Sequence, residues 1–377
     1  MARIPLNRAM IIGKELEYVS RAAKSGHIAG DGLFSRKCHA LLEKRLGSKK
    51  MLLTHTCTAG LEMVALLCRL KPGDEVILPS FTFVSVANTF YIQGAQLVFV
   101  DIRPDTLNID ENKIEEAITK RTKIIVPMHY AGIGCEMDKI TKIAKKHRVY
   151  VVEDAAHAVD AKYKSKYLGT IGDFGVFSFD ETKNVSCGEG GALSINNAAF
   201  LERAEVLWRK GTDRSQFLQG KVDRYSWIDV GASYLPSDIS AAFLCAQLEK
   251  MDTITKSRRK IFDKYMRALT PLADDGVLQL PQIPQHCSYN GSIFYIILKD
   301  GQLRDSLIEH LNSRGIAAAF HYVPLHLSPM GRLLGYREGL LPVTERISRR
   351  LLRLPIYCGL KGEHQLKVIA SIYDFFN

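Results

Sequence analysis

Short apolar runs recur about every 25 residues through the first half of the chain. They are Met51–Leu53, Val76–Leu78, Leu97–Val100, Lys123–Val126, Val149–Val152 and Phe174–Phe179, and Ala192–Ile195 adds a further run. Most of the intervals carry apolar residues at helical spacing, such as Leu61, Val64, Ala65 and Cys68, or Ile114, Ala117 and Ile118. Buried strands alternating with helices predict βαβ units around a mainly parallel sheet. From Ser237 to Leu269 the pattern predicts two helices with little strand character. Beyond Thr270 a segment with Pro281 and Pro284 leads to a predicted strand at Ile293–Leu298 and a helix at Gln302–Ser313. A strand at Ile316–Phe320 and helices at Thr344–Leu352 and His364–Phe375 follow. The expected organisation is a large α/β domain, residues 1–269, and a small α+β domain, residues 270–377.

The chain has 377 residues, enough for a sizeable core without disulfide staples. Its eight cysteines are scattered and form no Cys-x-x-Cys pair, so no zinc ribbon or thioredoxin-type centre is indicated and no metal site is expected. They read as free thiols in a reducing cytosol. The N-terminus lacks a signal-peptide core, and no run approaches the ~18 apolar residues of a membrane span, so a cytoplasmic protein without membrane contact is expected. The net charge of +11 raises nucleic acid as a partner. The basic runs Lys145–Arg148, Lys256–Lys260 and Arg349-Arg350 instead lie on separate helical stretches without interleaved aromatics, as solvated helix faces do. A positive field also attracts a small anionic substrate.

Ligands of open α/β sheets bind beyond the carboxyl ends of the strands. Several polar groups lie at such ends. Lys183 follows the Phe174 strand in a polar loop, where burial can make an amine nucleophilic toward carbonyls. Asp154 ends the Val149 strand and is either a helix cap or the partner of a cationic ring nitrogen. His157 is either packed or a hydrogen-bond partner of the same ring. Thr58-Ala59-Gly60 opens a helix, as a simple N-terminus or as a phosphate cradle. Phe83 is either core or a stacking platform. Together they match the needs of pyridoxal 5′-phosphate (PLP), which takes a lysine for its Schiff base and an acid for its pyridine nitrogen.

In this order, Pro72-Gly73-Asp74-Glu75-Val76, Pro79–Ser85, Val152-Glu153-Asp154-Ala155-Ala156-His157, Ser178-Phe179 with Thr182-Lys183-Asn184, Gly188-Glu189-Gly190-Gly191 and His321–His326 make a specific combination. The chain resembles the DegT-type nucleotide-sugar aminotransferases of PLP fold type I over nearly its whole length. The resemblance implies a mainly parallel seven-stranded sheet in the large domain and a small C-terminal α+β domain. It also implies glutamate and a keto sugar nucleotide as substrates.

By the same resemblance, Lys183 bonds the cofactor and moves the proton, and Asp154 pairs with the ring nitrogen. His157 lies beside the ring, where many relatives have glutamine, and Phe83 stacks on it, where some have tryptophan. Thr58, Ala59 and Ser178 match phosphate-binding positions. Ser233 reaches the phosphate of the partner subunit's cofactor in a homodimer with shared sites. Arg214 and Arg224 on the long segment Gly211–Trp227, with His321 and His326, are the candidate substrate contacts. Family members that dehydrate replace the lysine with histidine, so Lys183 implies transamination. Two rival readings are a 3-aminotransferase or an enzyme for another nucleotide sugar, and a PLP-binding regulator without turnover. The absence of a separate DNA-binding segment is expected to count against the regulator.

Overall fold

The computed structural model describes residues 3–377. The strands are β1 Met51–Thr54, β2 Glu75–Pro79, β3 Gln96–Val100, β4 Thr122–Ile125, β5 Tyr150–Asp154, β6 Lys162–Tyr163, β7 Lys166–Tyr167, β8 Phe174–Ser178, β9 Gly191–Ile195, β10 Leu278–Gln279, β11 Cys287–Ser288, β12 Phe294–Leu298 and β13 Leu351–Leu354. The helices are α1 Glu15–Lys24, α2 Leu33–Leu46, α3 Cys57–Leu67, α4 Val84–Ile92, α5 Met137–His147, α6 Leu201–Trp208, α7 Arg214–Leu218, α8 Asp238–Glu249, α9 Met251–Asp274, α10 Gly301–Ser313, α11 Pro329–Leu333, α12 Pro342–Arg350 and α13 Gly362–Phe376.

The large sheet has seven strands in the order β1-β9-β8-β5-β4-β2-β3. Only β9 runs against its neighbours, pairing antiparallel with both β1 and β8. The pairs β2–β3, β2–β4, β4–β5 and β5–β8 are parallel. Side chains alternate across a strand, so each strand feeds two cores. Leu53, Ile77, Ile125 and Val151 pack with α1, α2, α5 and α8 on one face. Leu52, Val76, Leu78, Ile124 and Val152 pack with α3, α4 and α6 on the other. Burial on both faces explains why these strands read as unbroken apolar runs. The fold is α/β with the mainly parallel seven-stranded sheet expected of PLP fold type I.

The C-terminal region has its own sheet, β10-β12-β13, and a third core. The division expected at 269/270 falls inside α9, which continues to Asp274. Ile261, Phe262, Tyr265, Leu269 and Leu272 of that helix pack into the third core, so α9 spans both regions. Two expectations are corrected. Ile316–Phe320 forms no strand, because Ile316 bridges Ile4 and Ala319 bridges Arg353, one residue to each of two neighbours. The helix expected over Thr344–Leu352 stops at Arg350. Leu351 turns extended (ψ 135°), and Leu351–Leu354 pair with Ile297–Phe294 as β13. The apolar spacing of α12 runs directly into that strand and masks the change of period. A fourth cluster joins the two regions, with Phe81, Met128 and Tyr130 from the large sheet's end meeting Tyr295, Ile297, Ile347 and Leu351.

Candidate active site

The carboxyl ends of β1, β5 and β8 open into a cleft of about 1000 Å³, closed on the far side by His321, Tyr322 and Arg353. Of the residues singled out above, Thr58, Phe83, Asp154, His157, Ser178, Lys183 and His321 line it.

Lys183 is carried by a shaped loop. Asp180 Oδ1 accepts from Thr182 N (2.9 Å) and Thr182 Oγ1 (2.6 Å), and Lys183 N donates to Asp180 O (3.0 Å). Asn184 Nδ2 donates to Asn290 O (3.0 Å), and Cys187 N closes the loop on Phe179 O (2.9 Å). The turn therefore uses Asp180, and the lysine side chain is left half-buried in the cleft. Burial holds its amine below the usual lysine range, with Cys57, Asp154 and Asp180 opposing that shift.

Strand alternation separates two neighbouring carboxylates. Glu153 points away from the cleft, where it accepts from Gly169 N (2.8 Å), Ile171 N (2.6 Å) and Gly172 N (2.7 Å) and pairs with His129 Nε2 (2.9 Å). Asp154 faces the cleft. Its Oδ1 accepts from Ala156 N (3.0 Å), and among the described residues its Oδ2 has no partner. Burial raises its pKa, with the Ala156 N–H and the charge of Lys183 acting the other way. His157 is buried and held neutral by desolvation first, then by the charges of Lys183 and Arg353. Its Nδ1 is shielded and unpartnered among the described residues. Its ring stacks on that of His321 (centroids 6.1 Å apart), whose Nδ1 meets Tyr130 Oη at 2.9 Å.

The helix start is built by Thr56, the N-cap of α3, whose Oγ1 accepts from Ala59 N (3.0 Å). Ala59 is thereby buried with its N–H taken. The N–H groups of Cys57 and Thr58, both at the cleft wall, have no intrahelical acceptor. Gly191 of β9 lies against this turn: a Cβ there would sit 2.5 Å from Cys57 N and from Thr56 C and O. Gly191→Ala is expected to push α3 off the strand, destabilise the fold by about 1–3 kcal/mol and weaken cofactor binding. Urea unfolding and a cofactor titration check both. Phe83 is the N-cap residue of α4 and is 57% exposed, with its ring 6.4 Å from that of Tyr322.

Other expected residues lie elsewhere. His326 is fully buried outside the cleft, Nδ1 against Ser80 Oγ (2.7 Å) and Nε2 against Glu345 Oε1 (3.0 Å). Both ring nitrogens are used, so it ties the His321–His326 segment to the end of β2 and meets no substrate within this chain. Arg214 and Ser233 line a second cavity of about 1030 Å³ with Asp31, Arg209 and Tyr225, and Arg224 is exposed outside both cavities. Sequence reasoning missed Tyr322 and Arg353. Arg353 had a signal: it is a lone charge inside the apolar run Leu351–Leu354. Among the described residues no cluster of three or more His, Cys, Asp or Glu could hold a metal ion.

A shielded acceptor or donor at His157, an unpaired carboxylate oxygen at Asp154, open N–H groups at a helix start and a buried amine fit a phosphorylated pyridine aldehyde. The comparisons agree. The DegT/DnrJ/EryC1/StrS aminotransferase family matches residues 10–373, and the chain belongs to that family. An uncharacterized protein of Methanocaldococcus jannaschii is 36% identical over 98% of this chain and 96% of its own. The spore coat polysaccharide biosynthesis protein SpsC of Bacillus subtilis is 32% identical over 98% and 96%. The PLP form of a Streptococcus pneumoniae protein assigned as a sugar aminotransferase superposes with a TM-score of 0.91, at 25% identity, covering 99% of this chain and 98% of that one. The chain is thus a PLP-dependent sugar aminotransferase.

Proposed function

We propose that this enzyme moves the amino group of glutamate to a 4-keto-6-deoxy sugar nucleotide. The foremost candidate is dTDP-4-keto-6-deoxyglucose, giving dTDP-4-amino-4,6-dideoxygalactose for a surface polysaccharide such as enterobacterial common antigen or lipopolysaccharide. The observation that carries the transamination is the buried Lys183 amine held in one cleft with the unpaired carboxylate oxygen of Asp154. The sugar assignment rests on the motif set, on a relative concerned with spore coat polysaccharide, and on the net charge of +11, which suits an anionic substrate. Among the described residues no helix is long and apolar enough to cross a membrane. The eight cysteines are free, which supports a reducing cytoplasm as the setting.

Bound PLP supplies an electron sink and a carbonyl for amine exchange. The open N–H groups of the α3 start and Ser178 Oγ would hold its phosphate, Phe83 would lie on its ring, and Asp154 would keep its ring nitrogen protonated. His157 would orient the ring through its unpartnered nitrogen. Lys183 Nζ, kept partly neutral by burial, takes the proton from the donor Cα and later delivers one to the sugar carbon that gains nitrogen. The sugar assignment is tested with glutamate and a panel of keto sugar nucleotides, products being determined by mass spectrometry and NMR. A 4-amino product supports it. A 3-amino product moves the site of amination, and no product with any sugar nucleotide overturns the substrate class.

The second cavity supports a homodimer with shared sites. Arg214 and Ser233 lie apart from Lys183 on one chain, and Trp227, Ile228 and Val230 beside them are 80%, 54% and 50% exposed, an apolar strip suited to a two-fold partner. In this reading they complete the partner's cleft. Mixing the inactive variants Lys183→Ala and Ser233→Glu under subunit exchange is expected to restore about a quarter of the sites. A mixture as inactive as its parts, or a fully active monomer in sedimentation, contradicts shared sites.

A further inference from the structure

Two of the eight free cysteines meet inside the protein. Cys38 of α2 and Cys245 of α8 are both fully buried in the same core. Cys38 Sγ donates to Ala241 O (3.2 Å), and Ala241 lies one helical turn before Cys245. Side chains on a helix lean toward its N-terminus, so the Cys245 thiol points back over that same turn. The two thiols hydrogen-bond each other, which no other pair of cysteines among the described residues does. Packed helices lie about 8–10 Å apart, and taking off two Cα radii of about 2.3 Å leaves facing Cα atoms within the reach of a disulfide. Cys245 is the outer member of the pair. Its Sγ lies 4.0 Å from Oε1 of the exposed Glu249, whose other oxygen accepts from Tyr18 Oη (3.0 Å).

We propose that Cys38 and Cys245 are a modification site, a dithiol that hydrogen peroxide converts reversibly into a disulfide. The pair is asymmetric, as that chemistry requires. The Cys38 S–H, turned toward Cys245, holds the Cys245 thiol below its ordinary range against burial, and Lys37 acts in the same direction. Burial, with Cys245 beside it, holds the Cys38 thiol well above its own range. Cys245 therefore reacts first. Its thiolate attacks one peroxide oxygen, an S–O bond forms, the O–O bond breaks and hydroxide leaves. Cys38 gives its proton to that hydroxide and attacks the sulfenic sulfur. The S–S bond forms, the S–O bond breaks and a second water departs. Two thiols and one peroxide thus become one disulfide and two waters, with two electrons passing from sulfur to oxygen. Peroxide is little larger than water, so local motion of Tyr18 and Glu249 admits it. The bond would complete a clamp. Asp238 of α8 already holds the start of α2, accepting from Phe34 N (3.2 Å), Ser35 N (2.7 Å) and Ser35 Oγ (2.8 Å). Cys38 and Cys245 lie about one and two turns further along the same helices. Gly32, Phe34 and Asp238 line the second cavity, so the disulfide fixes two of its walls against each other.

The test treats the folded, full-length holoenzyme with hydrogen peroxide, blocks the remaining thiols and maps the digested peptides by mass spectrometry without reduction. The expected product is one cross-linked pair, the Cys38 peptide joined to the Cys245 peptide and two hydrogens lighter than their sum. Dithiothreitol should release it. The oxidised protein should melt at least about 3 °C above the reduced one, because the bond closes a long loop in the unfolded chain. Cys38→Ser should strand Cys245 as a sulfenic acid that dimedone traps, and Cys245→Ser should leave Cys38 a thiol. Cys187 is the competitor, since Cys38 also feels its charge. A Cys38–Cys187 link in place of the expected one would overturn the proposal. So would Cys38 and Cys245 both remaining thiols at peroxide levels that oxidise the protein's exposed methionines. If neither serine variant folds, the peptide map of the unmodified protein decides alone.

Discussion

Lys183→Ala is expected to lower turnover by at least about 10⁴-fold, because one amine both exchanges with the donor nitrogen and carries the proton. The loop should survive the change. Its turn is made by Asp180, Thr182, Asn184 and Cys187 and takes nothing from the lysine side chain. Folding should not suffer either. The folded-state pKa of Lys183 is depressed by burial, so its charge is disfavoured on folding at every pH below its ordinary value of 10.5. Removing the amine removes that penalty, and the ligand-free variant should melt at or above the unmodified protein near pH 7. Borohydride treatment of the unmodified holoenzyme should fix the cofactor's mass on the peptide that contains Lys183. Turnover in Lys183→Ala near that of the unmodified enzyme would remove the lysine from the chemistry.

Asp154→Asn separates charge from shape. Asn can still accept from Ala156 N as Oδ1 does, so the turn after β5 is kept. It cannot hold a ring nitrogen protonated by charge, and turnover is expected to fall about 10³-fold. The sign of the stability effect follows from the raised pKa of Asp154. A group raised on folding contributes stability below its unfolded value, here 3.8, and loses it as pH rises through the higher folded value. At neutral pH the ligand-free protein therefore bears the cost of an ionised, buried carboxylate. The Asn variant should be at least as stable as the unmodified apoprotein at pH 7, with the difference closing as pH falls toward 4. PLP should raise the melting temperature of the unmodified protein more than that of the variant. An Asn variant with full activity would leave Asp154 a purely structural residue.

Much of the fold was legible because its strands are buried on both faces. Seven apolar runs, from Met51 to Ile195, stand out against amphipathic helices, and all seven became strands of the large sheet. The region after Thr270 was harder. At Ile316–Phe320 the chain has strand composition but touches a different neighbour at each contact, a tertiary fact with no local signature. At Leu351 an extended strand begins directly after α12, and its apolar residues continue the helical spacing. The site shows the same division. Lys183, Asp154 and His157 lie where strand ends and loops announce themselves in the sequence. His326 carries the right residue type in the right motif, yet Ser80 and Glu345, 246 and 19 residues away, occupy both of its nitrogens. Arg353 was passed over because the first half of its strand, Leu351-Leu352, was read as the end of a helix. Only the packed structure shows that its shielded Nε meets no hydrogen-bond partner among the described residues.

The most direct measurement is the glutamate half-reaction on the purified holoenzyme without any sugar. The account predicts one equivalent of 2-oxoglutarate per bound cofactor, with a matching change in the cofactor's absorbance, and the loss of both in Lys183→Ala. Bound PLP that glutamate leaves unchanged in the unmodified protein, with no 2-oxoglutarate formed, would contradict the account.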